Sequence, residues 1–327
     1  MRSIRAGTLI PPSLAANPDA PTGARQVREL SVRPGSFPAH WNKPDARGRL
    51  YGRQGRVCAF CGSALNYNDR GDVEHFRPKS KVRGSETHDG YWWLAYDLRN
   101  LMLACRRCNS SLKGTRFPLL ADETQRVTHG TRASLSAEPR ALLLALEDPI
   151  EDLLVIELDD ILFRVHPSPG LGPIELQRAE EHIRFFRLNT EPQLVRDRMA
   201  VVDQALQLLH DGAVDDVRAG AAPFSPHSRG VQLALALAGI APPSAFEARV
   251  QLLRQLGAEL EVAVELRELE TTSGPAHKFM REVGAALAWM VMDAPLTEQA
   301  GLRSELESLG GGAIVGVVDE IAADLGL

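Results

Sequence analysis

Residues 101–113 read LMLACRRCNSSLK, and they place Cys105 and Cys108 in a CxxC pair directly after an apolar run. The same spacing occurs upstream in Cys58-Ala-Phe-Cys61, and these four are all the cysteines of the 327-residue chain. Two CxxC pairs with no cysteine left over are typical of a four-thiolate Zn²⁺ site. We therefore predict that one zinc ion clamps the two pairs together. Four protein ligands leave no open position for substrate, so this zinc is predicted to support the fold.

Two other uses of the cysteines are open to the sequence. A pair of disulfides would suit an exported protein, but the stretch MRSIRAGTLIPPSLAANPDAP lacks the apolar core of a secretory signal. A redox CxxC would need only one pair, in a thioredoxin-like βαβ context that the sequence does not suggest. Zinc is therefore the favoured interpretation.

Charge is divided unevenly along the chain. Residues 1–120 contain 20 Lys/Arg and 9 Asp/Glu, a net of +11, and because the total is −5 the remainder carries −16. The basic front is expected to bind a polyanion, although two unrelated solvated surfaces would give the same split. No run of about 18 apolar residues occurs. We therefore predict no membrane contact and a cytoplasmic location.

Changes in composition divide the chain into four predicted segments. They are an extended basic arm over 1–50, a zinc-binding domain over 51–120, a hairpin-plus-helix extension over 121–219 and an acidic helical domain over 220–327. The arm is expected to contain one short helix near Tyr51–Gln54. The extension is expected to contain a β-hairpin with its turn at Asp159-Asp160.

The acidic rear is predicted to be almost entirely helical. The predicted helices of this region are Gly230–Ala238, Ser244–Leu256, Glu259–Leu269, His277–Met292, Thr297–Leu309 and Ala313–Leu325. Within His277–Met292, apolar residues recur at helical spacing at Phe279, Val283, Ala286 and Met290. The Pro- and Ser-containing segment Gly220–Gly230 is the predicted linker.

The stretch Asp72–Ser80, DVEHFRPKS, places an acid beside a histidine. An acid and an amide oxygen can hold a Mg²⁺ ion that keeps several waters, and Mn²⁺ is the alternative ion. A histidine with a pKa near about 6.5 can deprotonate a water aimed at phosphorus. Five cations are predicted to hold the polyanion: Arg77, Lys79, Arg106, Arg107 and Lys113.

These residues together resemble the zinc-containing HNH endonuclease family, also called ββα-metal. The resemblance rests on CxxC, DVEHFRPKS, Arg99-Asn100-Leu101 and CRRCNSSLKG. It implies His75 as general base, Glu74 and Asn109 as Mg²⁺ ligands, and Asn100 as the residue that holds His75 by a hydrogen bond. The implied fold is α+β, with a ββα-metal core followed by a predominantly α-helical C-terminal domain. Asp72 is a further auxiliary acid.

A narrower resemblance is to the PtuB-type HNH subunits of Septu and retron anti-phage systems. It is carried by CAFCGSAL, VEHFRPKS, GYWWLAYDLRNLMLACRRCNSSLKGTRFPL and LEDPIEDLL. It implies DNA as substrate and an ABC-type ATPase, PtuA-like, as a partner that docks on the acidic helices. A stand-alone restriction-type HNH enzyme and an inactive zinc-knuckle binding subunit are the alternatives. The aromatic residues of Tyr91–Tyr96 are predicted to pack the core rather than stack on bases.

Overall fold

The computed structural model describes residues 10–15, 33–65, 69–129, 135–159, 162–201, 207, 245–268, 274–292 and 294–326. These parts combine two small antiparallel sheets with helices, and the rear of the chain is helical. The mixed α and β character therefore agrees with the predicted class. The predicted linker Gly220–Gly230 and the turn residue Asp160 lie outside the described residues.

The first helix, α1, spans Pro44–Gln54 and is longer than the sequence indicated. Proline at its first position has the helical φ already set, and Gly55 ends it with φ 73°. The prediction of a short helix near Tyr51–Gln54 within an extended arm was wrong about the start, because the arginines and glycines before Tyr51 masked a buried helical face.

Two short strands follow and pair in antiparallel fashion. β1 (Asp72–His75) pairs with β2 (Leu101–Ala104), with Asp72 opposite Ala104 and His75 opposite Leu101. A widened, π-type helical turn then spans Arg107–Lys113. At its start the backbone N–H of Asn109 donates to the Cys105 carbonyl at 2.9 Å. The order of β1, β2 and a helical turn is the ββα order that the resemblance implied for residues 51–120.

The extension contains the predicted hairpin. A single helical turn, α2 (Ile150–Leu153), leads into β3 (Leu154–Asp159), which pairs with β4 (Leu162–Pro167). Helix α3 (Pro173–Phe185) packs against β4, and residues 192–201 are helical.

The rear consists of three long helices over its described part. They are α4 (Ala245–Glu268), α5 (Pro275–Met292) and α6 (Leu296–Asp324). The predicted helix His277–Met292 corresponds to α5, but the predicted breaks after Leu256 and Leu309 were wrong, because α4 continues through Gly257 and α6 continues through 310–312. A Cβ on Gly257 would lie 2.8 Å from the Leu309 side chain, so this glycine permits close packing and does not end a helix.

Helix α1 joins the front to the rear by packing along α5. A Cβ on Gly48 would lie 2.5 Å from the Ala285 Cβ, so the two helices approach closely there. The α1 arginine Arg47 pairs with the buried Glu282 at 2.9 Å, and the Arg49 guanidinium lies 5.1 Å from the centroid of the Trp289 ring. One apolar core runs through both regions.

Candidate active site and thiol cluster

The four cysteine sulfurs converge, as predicted. Those of Cys58, Cys61, Cys105 and Cys108 all lie within 4.8 Å of one another. Cys61 and Cys105 are 3.9 Å apart, far beyond a disulfide bond and close to the roughly 3.8 Å edge of a tetrahedral Zn–thiolate site. All four cysteines are free, which excludes the disulfide interpretation. A cluster of four thiols at this spacing could bind Zn²⁺.

Backbone hydrogen bonds fix the first cysteine pair to the sheet. The N–H of Ala59 donates to the Leu103 carbonyl at 3.0 Å. Gln54, at the end of α1, donates to the carbonyls of Val57 and Leu103 and accepts from the Leu103 N–H. No role was predicted for Gln54, yet its buried amide joins α1, the segment of the first cysteine pair and β2.

Two residues of β1 that are two positions apart bond two residues that are about one turn apart on the helical turn that follows β2. The Lys113 Nζ lies 2.5 Å from Glu74 Oε1, and the Asn109 side-chain nitrogen donates to Asp72 Oδ2 at 2.9 Å. Residues two apart on a strand point to the same face of the strand, and residues four apart on a helix point to the same face of the helix. The Lys113–Glu74 and Asn109–Asp72 contacts therefore lie side by side. Burial raises the pKa of Glu74, and the Lys113 ammonium opposes that rise.

His75 lies beside Glu74 on the strand and is 5% exposed. Its Nε2 lies 2.8 Å from the Ala95 carbonyl oxygen, so the neutral ring donates there and keeps a lone pair on Nδ1. Burial, followed by the charge of Lys79, lowers the pKa of His75 to about 3. The imidazole is therefore unprotonated at neutral pH.

Trp41 packs against His75 and was missed by the sequence analysis. The two ring centroids are 4.7 Å apart in an edge-on arrangement, and the Lys79 Nζ lies 4.9 Å from the Trp41 ring centroid. Two aromatic residues, Phe37 and Trp41, within a stretch rich in Pro, Gly and Arg were the available signal for this contact.

Asn100 holds the chain just after His75. Its Oδ1 accepts from the Arg77 backbone N–H at 2.8 Å, and its side-chain nitrogen donates to the Arg77 carbonyl at 3.0 Å. Its own carbonyl accepts from the Phe76 N–H at 2.9 Å. The predicted direct bond to His75 is therefore replaced by bonds to the next two residues.

The five predicted phosphate contacts separate into distinct environments. Arg77 is 4% exposed and pairs with the buried Glu138 at 2.9 Å, and Lys113 is 1% exposed on Glu74. The charges of both are paired with carboxylates inside the protein in this arrangement. Arg107 is half-buried and donates to Glu191 and to the Phe186 carbonyl. Arg106 is exposed, and Lys79 is half-buried.

Helix α3 contacts the first cysteine pair through His182, to which the sequence assigned no role. The His182 Nε2 lies 3.0 Å from the Phe60 carbonyl oxygen, and the Leu143 N–H donates to its Nδ1 at 3.2 Å. The Phe60 and Phe186 rings stack with centroids 4.5 Å apart. The extension and the segment of the first cysteine pair therefore pack against each other.

The aromatic cluster Tyr91–Tyr96 lies in the core, as the sequence analysis favoured. Trp92 and Trp93 are 6% and 3% exposed, and Tyr91 is fully buried. These rings are not available for stacking on bases in this arrangement.

Comparison with known proteins identifies a relative over part of the chain. A stretch of 124 residues, 36% of this chain, is 34% identical to the Septu protein PtuB of Bacillus mycoides (strain KBAB4). The chain is similar to PtuB. This confirms the resemblance predicted from the sequence motifs. The matched part covers 41% of PtuB, less than half of that protein's length.

Two further comparisons gave no match. No family model matches the chain, and no solved structure does. Among the helices in the described ranges, none combines the length and the apolar character needed to cross a bilayer.

Proposed function

We propose that this protein is a Mg²⁺-dependent HNH-type endonuclease that hydrolyses DNA phosphodiester bonds as the nuclease subunit of an anti-phage defence complex. The observation that carries the proposal is the His75 imidazole, held neutral by burial with Nε2 bonded to the Ala95 carbonyl. A base must be unprotonated and oriented before it can accept a proton. The similarity to PtuB supports the defence role.

The chemistry assigned to His75 is proton abstraction at Nδ1. Among the described residues, no hydrogen bond to this atom competes with a water molecule. The water gives its proton to Nδ1 while its oxygen forms a bond to phosphorus, and the opposite P–O bond breaks with the electron pair leaving on the sugar oxygen. A phosphodiester anion beside the ring would raise the pKa of His75 from its low value in the free protein.

The residues that would hold Mg²⁺ are Glu74 and Asn109, with Asp72 on the same face of the strand. Asn109 uses its side-chain nitrogen on Asp72, which leaves its Oδ1 free to act as a ligand. Carboxylate and amide oxygens are the donors that Mg²⁺ prefers, so the set fits the ion. When bound, the ion would polarise the phosphoryl oxygen and stabilise the leaving oxygen.

Cations that reach the surface are proposed to hold the DNA backbone. Of the predicted set, Arg106 is exposed and Lys79 and Arg107 are half-buried, and Lys81 and Arg83 are exposed in the loop that follows β1. An ABC-type ATPase is the proposed partner, docked on exposed faces of α4 and α6, where Glu261 and Glu307 face solvent.

The inactive binding subunit has one observation in its favour. Lys113 already neutralises Glu74, the predicted metal ligand. A protein that only binds nucleic acid would need no divalent ion at that carboxylate.

A plasmid-nicking assay separates these functions. The purified zinc-loaded chain is incubated with supercoiled plasmid and Mg²⁺, alone and together with the product of any adjacent ATPase gene. We expect nicking that EDTA abolishes and that His75→Ala slows by at least about 100-fold. His166→Ala, which removes a half-buried histidine of β4, is the matched control and should nick at the wild-type rate. Equal nicking by wild type and His75→Ala, or none under any condition, would remove the catalytic assignment.

A further inference from the structure

Lys113 has an unusual position for a lysine. Its side chain is fully enclosed, and its Nζ lies 2.5 Å from Glu74 Oε1, 3.0 Å from the His75 carbonyl oxygen and 3.5 Å from the Gly114 carbonyl oxygen. An ammonium group has three protons to donate, and three acceptors surround this one. The position therefore suits a charged lysine.

A divalent ion on Glu74 would have to share the carboxylate with this ammonium. Like charges repel strongly when they are buried, because neither water nor salt screens them well. Lys79 adds further positive charge, since its field also acts on the Glu74 carboxylate. Before any metal ion arrives, the carboxylate therefore already carries the Lys113 ammonium and also feels the charge of Lys79.

We propose that Lys113 weakens divalent-ion binding at Glu74 in the free protein, so that the ion is held firmly only together with an anionic phosphodiester. This inference rests on the proposed function, since it takes Glu74 as the metal ligand. The negative phosphate compensates the excess positive charge that ion and ammonium create together. Lys113 acts as a positioning residue, and it makes metal binding depend on substrate.

A purely structural role for Lys113 makes a different prediction. The same three bonds link β1 to the helix that follows β2, so loss of Lys113 would lower stability in either case. Only the proposed role changes the affinity for the ion. Metal affinity, measured separately from unfolding, therefore distinguishes the two roles.

The test is a titration of the zinc-loaded full chain with Mn²⁺, followed by electron paramagnetic resonance. Lys113→Met removes the charge, and Lys113→Gln removes the charge but keeps hydrogen-bond donors. We expect both variants to bind Mn²⁺ at least about tenfold more tightly than wild type. The matched control, Lys278→Met, removes an exposed lysine of α5 and should bind like wild type.

Two additional titrations test whether Glu74 is the metal ligand and whether metal binding depends on the phosphodiester. Glu74→Gln in the Lys113→Gln background should return Mn²⁺ binding to the weak level. A phosphorothioate oligodeoxynucleotide should tighten Mn²⁺ binding by wild type at least about tenfold, and by Lys113→Gln much less.

Unchanged or weaker Mn²⁺ binding by the folded neutral variants would overturn the proposal. Failure of both neutral variants to fold would also overturn it, since the ammonium would then serve the fold. The plasmid assay is scored separately. Tighter Mn²⁺ binding in Lys113→Gln with no nicking by wild type would reject the nuclease function and leave the role of Lys113 standing.

Discussion

In the front, which carries the thiol cluster, Gly62 and Gly114 end turns with φ of 76° and 52°, whereas in the rear Gly257 and Gly284 lie inside long helices. A Cβ on Gly284 would clash with the Ile321 side chain. In the front, glycine is needed for its backbone conformation. In the rear, glycine is needed because it has no side chain. A glycine in the sequence therefore indicates a turn only where close packing against a neighbouring helix does not account for its presence.

The two regions also differ in what stabilises them. Each strand of the front sheet has four residues and the helical turn has seven, so little secondary structure that we expect a metal ion on the thiol cluster to be needed for stability. The rear buries apolar faces of three long helices, with Leu253, Leu260, Val283 and Leu302 fully enclosed. Metal binding should therefore matter for one region and helix packing for the other.

The largest effect expected is on the front. Cys105→Ser should remove the zinc ion and with it on the order of 10 kcal/mol of folding free energy, so the front should unfold. Metal analysis should give about one zinc per wild-type chain and none in the variant. Near-ultraviolet circular dichroism should report the loss of packing around Trp92 and Trp93. Ser63→Ala, which removes the hydroxyl beside Cys61, should retain the ion. A metal-free variant with intact aromatic packing would contradict the prediction.

The next effect tests helix packing between the two regions. Gly48→Ala places a methyl group against Ala285 and the Glu282 carbonyl, which must separate α1 from α5. We expect a loss of about 2 kcal/mol in the free energy of unfolding, measured by urea denaturation.

The control for Gly48 is a glycine in an open part of a helix. A Cβ on Gly316 in α6 would have no atom within 4 Å, so Gly316→Ala should stabilise the protein by about 0.5–1 kcal/mol. The comparison fails if both substitutions act in the same direction.

The smallest effect lies where the extension meets the front. Burial outweighs the Phe60 carbonyl and the charge of Asp148, and it lowers the pKa of His182 to about 4. The unfolded chain therefore binds a proton below about pH 6.5 that the folded protein does not, and stability falls as pH drops from that value toward 4. Between about pH 7 and pH 5, wild type should lose about 2 kcal/mol more than His182→Gln.

Urea denaturation at the two pH values measures this difference. Zinc release in acid affects wild type and variant alike, so the comparison isolates His182. His166→Gln, whose histidine lies half-buried in β4, should follow wild type. Equal losses in wild type and His182→Gln would show that His182 is not buried in its neutral form.

The basic front was the least reliable guide to function. Arg47 and Arg70 pair with Glu282, and Arg56 pairs with Glu259, so part of the positive charge of the front neutralises acids of the rear. Net charge along a sequence cannot separate cations that face solvent from those that face another helix.

The sequence by itself determined the thiol cluster and the hairpin, because CxxC spacing and runs of strand-forming residues on either side of a turn can be recognised locally in the chain. Only the tertiary structure decided the partners of Lys113, Arg77 and His182. Each of them bonds a residue 38 or more positions away. A side chain that bonds across the fold has the same local sequence whether it faces solvent or a buried carboxylate, so its environment depends on packing.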